Sequence, residues 1–388
     1  MRLFTYIIVS ILFFLSACDS KKEINNSYSL QPSNHFLSFS IPEDTELPYN
    51  SIHVFTIENK EYLAYDGSDR KSIYVYDLLS GKLLKHIKYQ LEGDESISKI
   101  GEFLIQDFNN IYISSPFQEI LYKTDSAGHV IQRIPYSKTT DPNPIELSAK
   151  GSNDGPIVIS GNQIYLTQGL NHSWGNEVIN KSKIEIIIDT LNHTIQQVPL
   201  GFPPLISYKD IGSGDGAGFG CSYQRCFDGE HFVYSFIYSD LMYKASKDFK
   251  TIQKKKVKSQ YATKVGILRI KTSSFSKFLK EEAESPVYGD CVYDPYRKVY
   301  YRFAYPSTEL EENDSYLEIL RNGRKQPSIM ILNEDLEVLG ETLLPEFTYA
   351  SRAYFVREDG LYLSVSHFKR DDYSEDTLRF QRLELIQN

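Results

Sequence analysis

Most of the chain alternates short runs of β-forming residues with polar turns. One recurring unit has a run of β-formers, a tight turn that contains Asp or Asn, and a second alternating strand. The clearest copies lie at 73–89, 120–136 and 183–200, and weaker copies lie at 241–257 and 328–344. Asp and Asn suit these turns because their side chains bond the backbone two residues further on. The predicted turn residues are Asp77, Asp125, Asp189 and Asn333.

A second hairpin precedes each copy and also occurs once near the end of the chain. Its second strand carries a core of apolar and aromatic residues, and these cores are centred at 62, 112, 165, 233, 300 and 362. Two hairpins per unit make four antiparallel strands, and the unit is repeated six times. The pattern predicts an all-β fold, a six-bladed β-propeller with small helical and loop insertions.

The two ends of the chain predict how this propeller closes. The sixth unit has strands at 352–356, 361–367 and 378–386, and the chain then stops without a fourth. Near the N-terminus, residues 35–41 form an alternating strand that belongs to no unit. If this strand pairs with 378–386 as the outermost strand of the sixth blade, the ring closes without an unpaired sheet edge.

The longer intervals between units mark insertions. Connections rich in Gly, Pro, Ser and Asp span 137–155 and 201–220, and residues 306–326 interrupt the fifth blade between its second and third strands. The segment 258–287 predicts a helix, because apolar residues recur in it at i, i+3 and i+4. Those residues are Phe275, Phe278 and Leu279, which follow Ser273 and Ser274. The glycine-rich run 212–220 predicts a flexible loop over one mouth, since no Lys-Ser/Thr and no helix follow it.

The N-terminus has the pattern of a lipoprotein leader. Arg2 precedes an apolar run of signal-peptide length, and Leu15-Ser16-Ala17-Cys18 resembles the bacterial lipobox, in which the cysteine thiol is acylated. An uncleaved anchor is the alternative. The sequence predicts a signal peptide at 1–17, a flexible tether at 18–33 and the propeller at 34–388. It therefore predicts attachment to a membrane through lipid at Cys18, in the envelope of a Gram-negative bacterium, with the outer membrane favoured.

Three cysteines follow Cys18, and an odd number excludes a fully paired disulfide framework. Cys221 and Cys226 could pair across a local turn, whereas buried free thiols are the favoured interpretation for Cys221, Cys226 and Cys291. No zinc-ligand spacing occurs among them.

Composition narrows the range of functions. Lys and Arg number 42 against 51 Asp and Glu, a net charge of -9, which argues against a nucleic-acid partner. The sequence has no G-x-S-x-G nucleophile elbow and no H-E-x-x-H zinc motif. It therefore predicts no catalytic residues, no metal and no cofactor. His53, His231 and His367 could converge from different blades, although a local hydrogen bond is the favoured role of each.

Charged residues near the innermost strands are the candidate binding groups. Asp290 lies near one such strand, as do Asp228 and Asp294, and Arg225, Arg302 and Arg352 start or follow others. Guanidinium groups at a propeller mouth could hold an anion by paired hydrogen bonds. The candidates carried forward are Arg225, Asp290 and Arg302. For the arginines, a structural ion pair within a blade is the favoured interpretation, and anion binding is the alternative.

The lipobox, the six four-strand units and the segment Tyr293-Asp294-Pro295-Tyr296 that leads to Tyr300-Tyr301-Arg302-Phe303 resemble uncharacterised six-bladed propeller lipoproteins of Gram-negative bacteria. The resemblance covers essentially the whole mature chain. It implies the propeller and the anchor, and it supplies no activity.

Three functional classes are consistent with these features. The favoured one is a lipid-anchored binding or sensory module for a protein or glycan ligand. The others are an extracytoplasmic hydrolase or lyase with its site in the funnel, and a structural subunit of an envelope assembly. Fold alone does not decide between them.

Replacement of Cys18 by Ala tests the anchor. Because the thioether requires the thiol, we expect C18A to accumulate as an unprocessed precursor that takes up no label from a palmitate analogue. Gel mobility and labelling in cells measure both effects. Labelling that persists in C18A would contradict the anchor, and Cys291→Ala is the matched control that should still be labelled.

Overall fold

A computed structural model gives the structure of residues 26–48, 52–115, 118–137, 139, 155–168, 181–204, 207–211, 222–270 and 274–388, with the backbone alone for 207–211 and 267–270. Within these residues, six four-stranded antiparallel sheets form a ring. The predicted six-bladed β-propeller is confirmed. In each of the six sheets, the first strand named is the innermost and the last is the outermost.

The first three blades follow one another along the chain. Blade one contains β2 (Ile52–Ile57), β3 (Lys60–Asp66), β4 (Ser72–Asp77) and β5 (Leu83–Lys88). Blade two contains β6 (Glu102–Asp107), β7 (Asn110–Ser115), β8 (Ile120–Thr124) and β9 (Val130–Pro135). Blade three contains β10 (Val158–Ser160), β11 (Gln163–Thr167), β12 (Glu185–Asp189) and β13 (Thr194–Gln197).

The other three blades carry the insertions and the closure. Blade four contains β15 (Tyr223–Phe227), β16 (His231–Phe236), β17 (Leu241–Ser246) and β18 (Ile252–Lys256). Blade five contains β20 (Val287–Asp294), β21 (Val299–Tyr305), β22 (Ser328–Leu332) and β23 (Val338–Leu343). Blade six contains β24 (Ala350–Arg357), β25 (Gly360–Ser364), β26 (Thr377–Gln387) and the N-terminal strand β1 (Tyr28–Ser40).

The turn prediction is confirmed in atomic detail. The side-chain Oδ1 of Asp77 accepts a hydrogen bond from the backbone N–H of Ser80 at 2.8 Å, and Asn333 Oδ1 accepts one from Asp335 at 3.0 Å. Asp125 and Asp189 accept equivalent bonds. These side chains satisfy backbone donors that a tight turn leaves outside the ladder.

The core of the molecule lies between the blades. Six clusters of buried apolar side chains each join two adjacent blades, and together they continue around the ring. Because both faces of a blade are covered, a middle strand is apolar at successive positions and does not alternate. Every residue of β21 is buried, for example. This explains why the apolar runs in the second strands identify the blades better than strict alternation does.

The predicted closure is also confirmed. β1 pairs antiparallel with β26, and Phe36 lies opposite Gln381 while Ser40 lies opposite Thr377. β1 starts at Tyr28, six residues before the predicted propeller boundary at 34, so residues 28–33 of the predicted tether belong to the ring. The strand contains Pro32 and shifts register between Pro32 and Phe36. An outermost strand tolerates a proline because its N–H side can face away from the sheet.

The insertions add two helices within the described residues, α1 (Phe275–Glu284) and α2 (Tyr316–Asn322). α1 confirms the predicted helix, and Ser274 caps it by accepting a bond from the N–H of Lys277. A pair of parallel strands, β14 (Ser207–Ile211) and β19 (Ile267–Ile270), was not predicted.

Some of the residues considered from the sequence lie outside the described part of the chain, namely Cys18, Cys221, the glycine-rich run 212–220 and most of 137–155. In the part of the chain that the structure describes, no helix has the length and apolar character needed to cross a membrane.

The N-terminal strand also crosses the outer edge of blade five. The N–H of Ser27 donates to the Leu339 carbonyl at 2.9 Å, and the N–H of Leu30 donates to Thr342 Oγ1 at 2.8 Å. Gly340 lies at this crossing, where a Cβ would overlap the Tyr28 carbonyl oxygen and lie 2.9 Å from its carbon. The crossing therefore requires glycine.

Gly340→Ala tests the crossing. Because the added methyl group must displace the backbone of β1, we expect the free energy of unfolding to fall by about 1–3 kcal/mol. Thermal unfolding and proteolysis of the N-terminal strand measure the loss. The matched control is Gly201→Ala, whose Cβ would lie 3.2 Å from the Ser182 carbonyl oxygen and needs only a small adjustment. Equal melting temperatures for the two variants would show that the crossing is not constrained.

Candidate functional site

A cavity of about 420 Å³ opens at one end of the ring, where the innermost strands of blades four, five and six begin. Blade four supplies Ser222 and Gln224, blade five supplies Asp290, and blade six supplies Arg352. The two insertion helices cover the opposite side. The cavity is thus the capped part of a propeller mouth, in the position where propeller loops carry function.

Irregularities in two innermost strands bring one charged side chain each, Asp290 and Arg352, to the cavity. In β20 the register shifts between Tyr288 and Cys291, so that Gly289 and Asp290 together face one residue of β21. In β24 the register shifts between Ala350 and Tyr354, around Arg352. A bulge of this kind redirects a side chain that a regular pleat would send into the blade interface. Asp290 and Arg352 therefore both contribute to the cavity wall.

Glycine is required at the bulge of β20. A Cβ at position 289 would lie 2.7 Å from Cε2 of Tyr305 and 3.2 Å from Cβ of Phe303. The ring of Tyr305 occupies that space, and its hydroxyl lies 2.9 Å from Ser351 Oγ of blade six. Burial raises the pKa of Tyr305 to about 12, so the hydroxyl stays protonated.

Helix α1 presents one face to the cavity. Phe275, Phe278, Leu279 and Glu282 fall at i, i+3, i+4 and i+7 and all line the wall. The predicted apolar stripe of this helix therefore faces a cavity. Phe278 is buried, whereas Phe275 is 67% exposed and its ring centroid lies 6.1 Å from that of Phe278.

Arg324, which follows α2 in the chain, joins the two insertions to each other. Its Nη1 donates to the carbonyl oxygens of Glu282 at 2.6 Å and Ser285 at 2.8 Å, at the C-terminal end of α1. Nη2 lies 3.4 Å from Glu282 Oε1. Burial raises the pKa of the Glu282 carboxyl, and the charge of Arg324 opposes that rise. A cation at a helix C-terminus is favourable because the last carbonyls lack helical partners.

Arg225, a predicted binding residue, lies in the interface between blades three and four. Its side chain is fully buried, and Nη1 lies 2.5 Å from Glu185 Oε1 while Nη2 donates to the carbonyl of Pro156. The guanidinium also lies 5.0 Å from the ring centroid of Phe232. These contacts place Arg225 in an ion pair between blades, rather than within one, and away from the cavity lining.

Arg302, a second predicted binding residue, is buried between blades four and five. It donates to three carbonyl oxygens of blade four and the chain that follows its strands, and to Ser235 Oγ at 2.9 Å. The three carbonyls belong to Val257 at 2.8 Å, Ser239 at 2.7 Å and Phe236 at 3.3 Å. Burial lowers the pKa of Arg302 to about 10. Of the three residues carried forward from the sequence, the structure thus brings only Asp290 to the cavity.

The three histidines considered from the sequence do not converge. His53 Nε2 lies 3.4 Å from the Ile105 carbonyl, and His231 Nδ1 lies 3.3 Å from Asp228 Oδ2. His367 is buried against the carbonyl of Gly323. Among the residues described, no three His, Cys, Asp or Glu side chains are grouped as metal ligands would be.

Sequence reasoning missed Glu282 and Arg324, which lie in the two insertions. Glu282 could have been found from its i+7 position relative to Phe275, which puts it on the same face of α1 as the apolar stripe. Arg324 lies beyond α2 and carries no pattern of its own, because its partners come from a helix about 40 positions earlier in the chain.

The ring of six four-stranded blades with a capped mouth puts the protein in the class of six-bladed β-propellers. A family model described as a domain of unknown function (DUF4221) matches residues 15–343, and the chain belongs to this family. The crystal structure of a DUF4221 family member from Bacteroides vulgatus ATCC 8482 is 24% identical and has a TM-score of 0.81, over 94% of this chain and 100% of that chain.

The chain is also similar to a putative exported protein from Bacteroides fragilis NCTC 9343. That structure is 10% identical, with a TM-score of 0.52 over 93% of this chain and 96% of that chain. Both likenesses show the fold. None of the curated proteins matches this chain.

The buried imidazole of His367 predicts a pH dependence of stability. Its Nδ1 accepts a bond from the N–H of Lys369 at 3.2 Å, so the proton lies on Nε2, which faces the Gly323 carbonyl. Burial lowers the pKa of His367 from 6.5 to about 4. Between these values the unfolded chain binds a proton that the folded chain does not, so stability falls as the pH falls, by up to about 1.4 kcal/mol per pH unit.

We expect His367→Gln to flatten this slope in urea unfolding measured from pH 7.5 to pH 4. His53, whose pKa burial also lowers to about 4, contributes in the same direction, so part of the slope should remain. The control is His35→Gln, since His35 is exposed on the outermost strand. If H367Q leaves the dependence of stability on pH unchanged, then His367 is not its source.

Proposed function

We propose that this protein is a lipid-anchored binding module of the bacterial cell envelope, which holds a neutral glycan fragment in the cavity at the mouth of its propeller. The observation that carries the proposal is a capped cavity whose wall combines apolar rings with a small number of converging charged groups. Cavities of about 300–1,000 Å³ with this kind of lining are the usual small-molecule sites of proteins.

The volume and the cap support a small ligand. At about 420 Å³ the cavity has room for a ligand of one to a few sugar rings, and α1 and α2 restrict access to it. A flat protein-binding surface would need a larger exposed apolar area. We therefore favour a small ligand over a protein partner.

The balance of charge supports a neutral polar ligand. Asp290 and Glu282 bring two carboxylates to the wall, and Arg324 and Arg352 bring two guanidinium groups. Neither sign dominates, so an anion or a cation gains attraction from one pair and repulsion from the other. Hydroxyl groups can donate to carboxylates and accept from guanidinium groups, and the apolar face of a sugar ring can pack on Phe278 and Leu279.

The location within the envelope rests on the lipobox. Leu15-Ser16-Ala17-Cys18 supplies the acylated cysteine, and β1 begins at Tyr28, which leaves a short polar segment between anchor and ring. Acylation at several positions of one cysteine would hold the ring at the membrane surface. A ligand-binding mouth held there would meet envelope saccharides.

Glycan cleavage is the second candidate function. The observation that favours it is that Glu282 and Asp290 line the same cavity, and burial raises the pKa of Glu282. Glycoside hydrolysis uses a pair of carboxyl groups, one of which has a raised pKa. Product release from a bound saccharide distinguishes this candidate from binding alone.

Asp290→Asn is the sharpest variant for a binding test. It keeps the shape and polarity of the side chain and removes its charge. Because a hydrogen bond to a charged group contributes about 1.5–3 kcal/mol, we expect saccharide affinity to fall roughly ten- to a hundredfold. Calorimetric titration of the purified protein with neutral mono-, di- and trisaccharides measures the affinity, and chromatography of the same mixtures detects cleavage.

The matched control is Asp189→Asn in the outer turn of blade three. Asn333 occupies the corresponding turn of blade five, so the replacement should leave both fold and affinity unchanged. The proposal fails if no neutral saccharide binds, or if D290N and D189N bind equally well.

A further inference from the structure

Two buried cysteines from neighbouring blades face each other. Cys226 lies on β15, the innermost strand of blade four, and Cys291 lies on β20, the innermost strand of blade five. Their Sγ atoms are 3.5 Å apart, and both are free thiols. We propose that Cys226 and Cys291 are a site of oxidative modification, at which a disulfide joins blades four and five when the protein meets a disulfide oxidant.

The separation of the sulfur atoms supports this assignment. A disulfide bond is about 2.05 Å long, so the sulfur atoms need to approach each other by roughly 1.5 Å. They already lie in direct contact, and both strands belong to the same inter-blade cluster. Met242 and Met330 pack in that cluster, and methionine side chains adapt readily to small shifts in a core.

The chemistry balances with an external disulfide as the oxidant. One thiolate attacks a sulfur atom of the oxidant and forms a mixed disulfide, and the second thiolate then displaces the oxidant's sulfur. Two Sγ–H bonds are lost and one Sγ–Sγ bond forms. Two electrons reduce the disulfide of the oxidant, and the two protons pass through solvent to its two released sulfur atoms, which leave as two thiols.

Burial determines when the reaction takes place. Both cysteines are buried, and burial together with the neighbouring Cys291 raises the pKa of the Cys226 thiol. The reactive thiolate is therefore scarce in the closed ring. We expect the bond to form while the chain folds and blades four and five are still separate, and to form slowly in the folded protein.

The bond would join two strands that also form the cavity wall. Asp290 directly precedes Cys291, and Gln224 lies two residues before Cys226. The two cysteines are 65 positions apart, so the cross-link closes a long loop of chain. Closing such a loop restricts the unfolded state, and we expect the melting temperature to rise by about 3–6 °C.

Disulfide mapping of the full chain tests the proposal. The protein is refolded from denaturant in a mixture of oxidised and reduced glutathione, its remaining thiols are alkylated, and its peptides are identified by mass spectrometry without reduction. We expect a peptide pair that links Cys226 to Cys291 and separates on reduction. A sample kept in excess reductant should show both cysteines alkylated and the lower melting temperature.

Cys221→Ser is the matched control, because this third thiol is only five positions from Cys226 and is the alternative partner considered from the sequence. The cross-link should persist in C221S and disappear in C226S and in C291S. Mapping of the wild-type chain remains decisive even if a variant fails to fold. A Cys221–Cys226 link in the wild-type protein, or full alkylation of Cys226 and Cys291 after oxidative refolding, would overturn the proposal.

Discussion

Closure of the ring by the two ends of the chain is the constraint on which the rest of this structure depends. Each blade buries both faces against its neighbours, so a ring with one incomplete blade would leave a sheet edge and two partly covered cores. The pairing of β1 with β26 completes the sixth blade with a strand that starts more than three hundred residues earlier. The crossing at Gly340 then ties the same strand to blade five. The inter-blade packing, and with it the cavity, requires this closure.

The interfaces between blades also contain arginines, which donate hydrogen bonds to backbone carbonyl groups there. Where blades meet, backbone carbonyl groups near strand ends lie buried without ladder partners, and an unsatisfied buried acceptor is costly. Arg302 satisfies buried carbonyls of blade four from a position on blade five. Nearer the surface, Arg297 of blade five donates to the carbonyls of Arg357 and Glu358 in blade six. Arg357 in turn forms an ion pair with Glu61 of blade one at 2.8 Å. Planar groups with several donors suit this role well.

Much of the fold could be predicted because its signals are local. The Asx turns and the apolar runs of the second strands each lie within a few residues, and six repeats of them define the ring. The part of β1 from Tyr28 to Ser33 was not predicted as a strand, because Pro32 and the polar residues around it have the composition of a linker. The pairing of this part with β26 also depends on a bulge. The parallel strands β14 and β19 escaped because their partners lie more than fifty residues apart. The candidate site was harder to predict from the sequence. Bulges direct Asp290 and Arg352 to the cavity, and no local sequence pattern specifies those bulges. The direction of Arg225 and Arg302 depends on packing against the next blade.

The cap over the cavity is built from connections rather than from ladder strands. α1 precedes blade five and α2 interrupts it, and the two helices share a small apolar cluster of their own around Ala283, Leu310 and Ile319. Arg324 ties the two insertions together at the C-terminal end of α1, and the ladder hydrogen bonds of the blades do not pass through this cluster. Insertions and deletions in the cap can therefore accumulate during evolution without breaking the ring. A change in these helices would reshape the wall of the cavity and leave the closure and the packing between the blades in place.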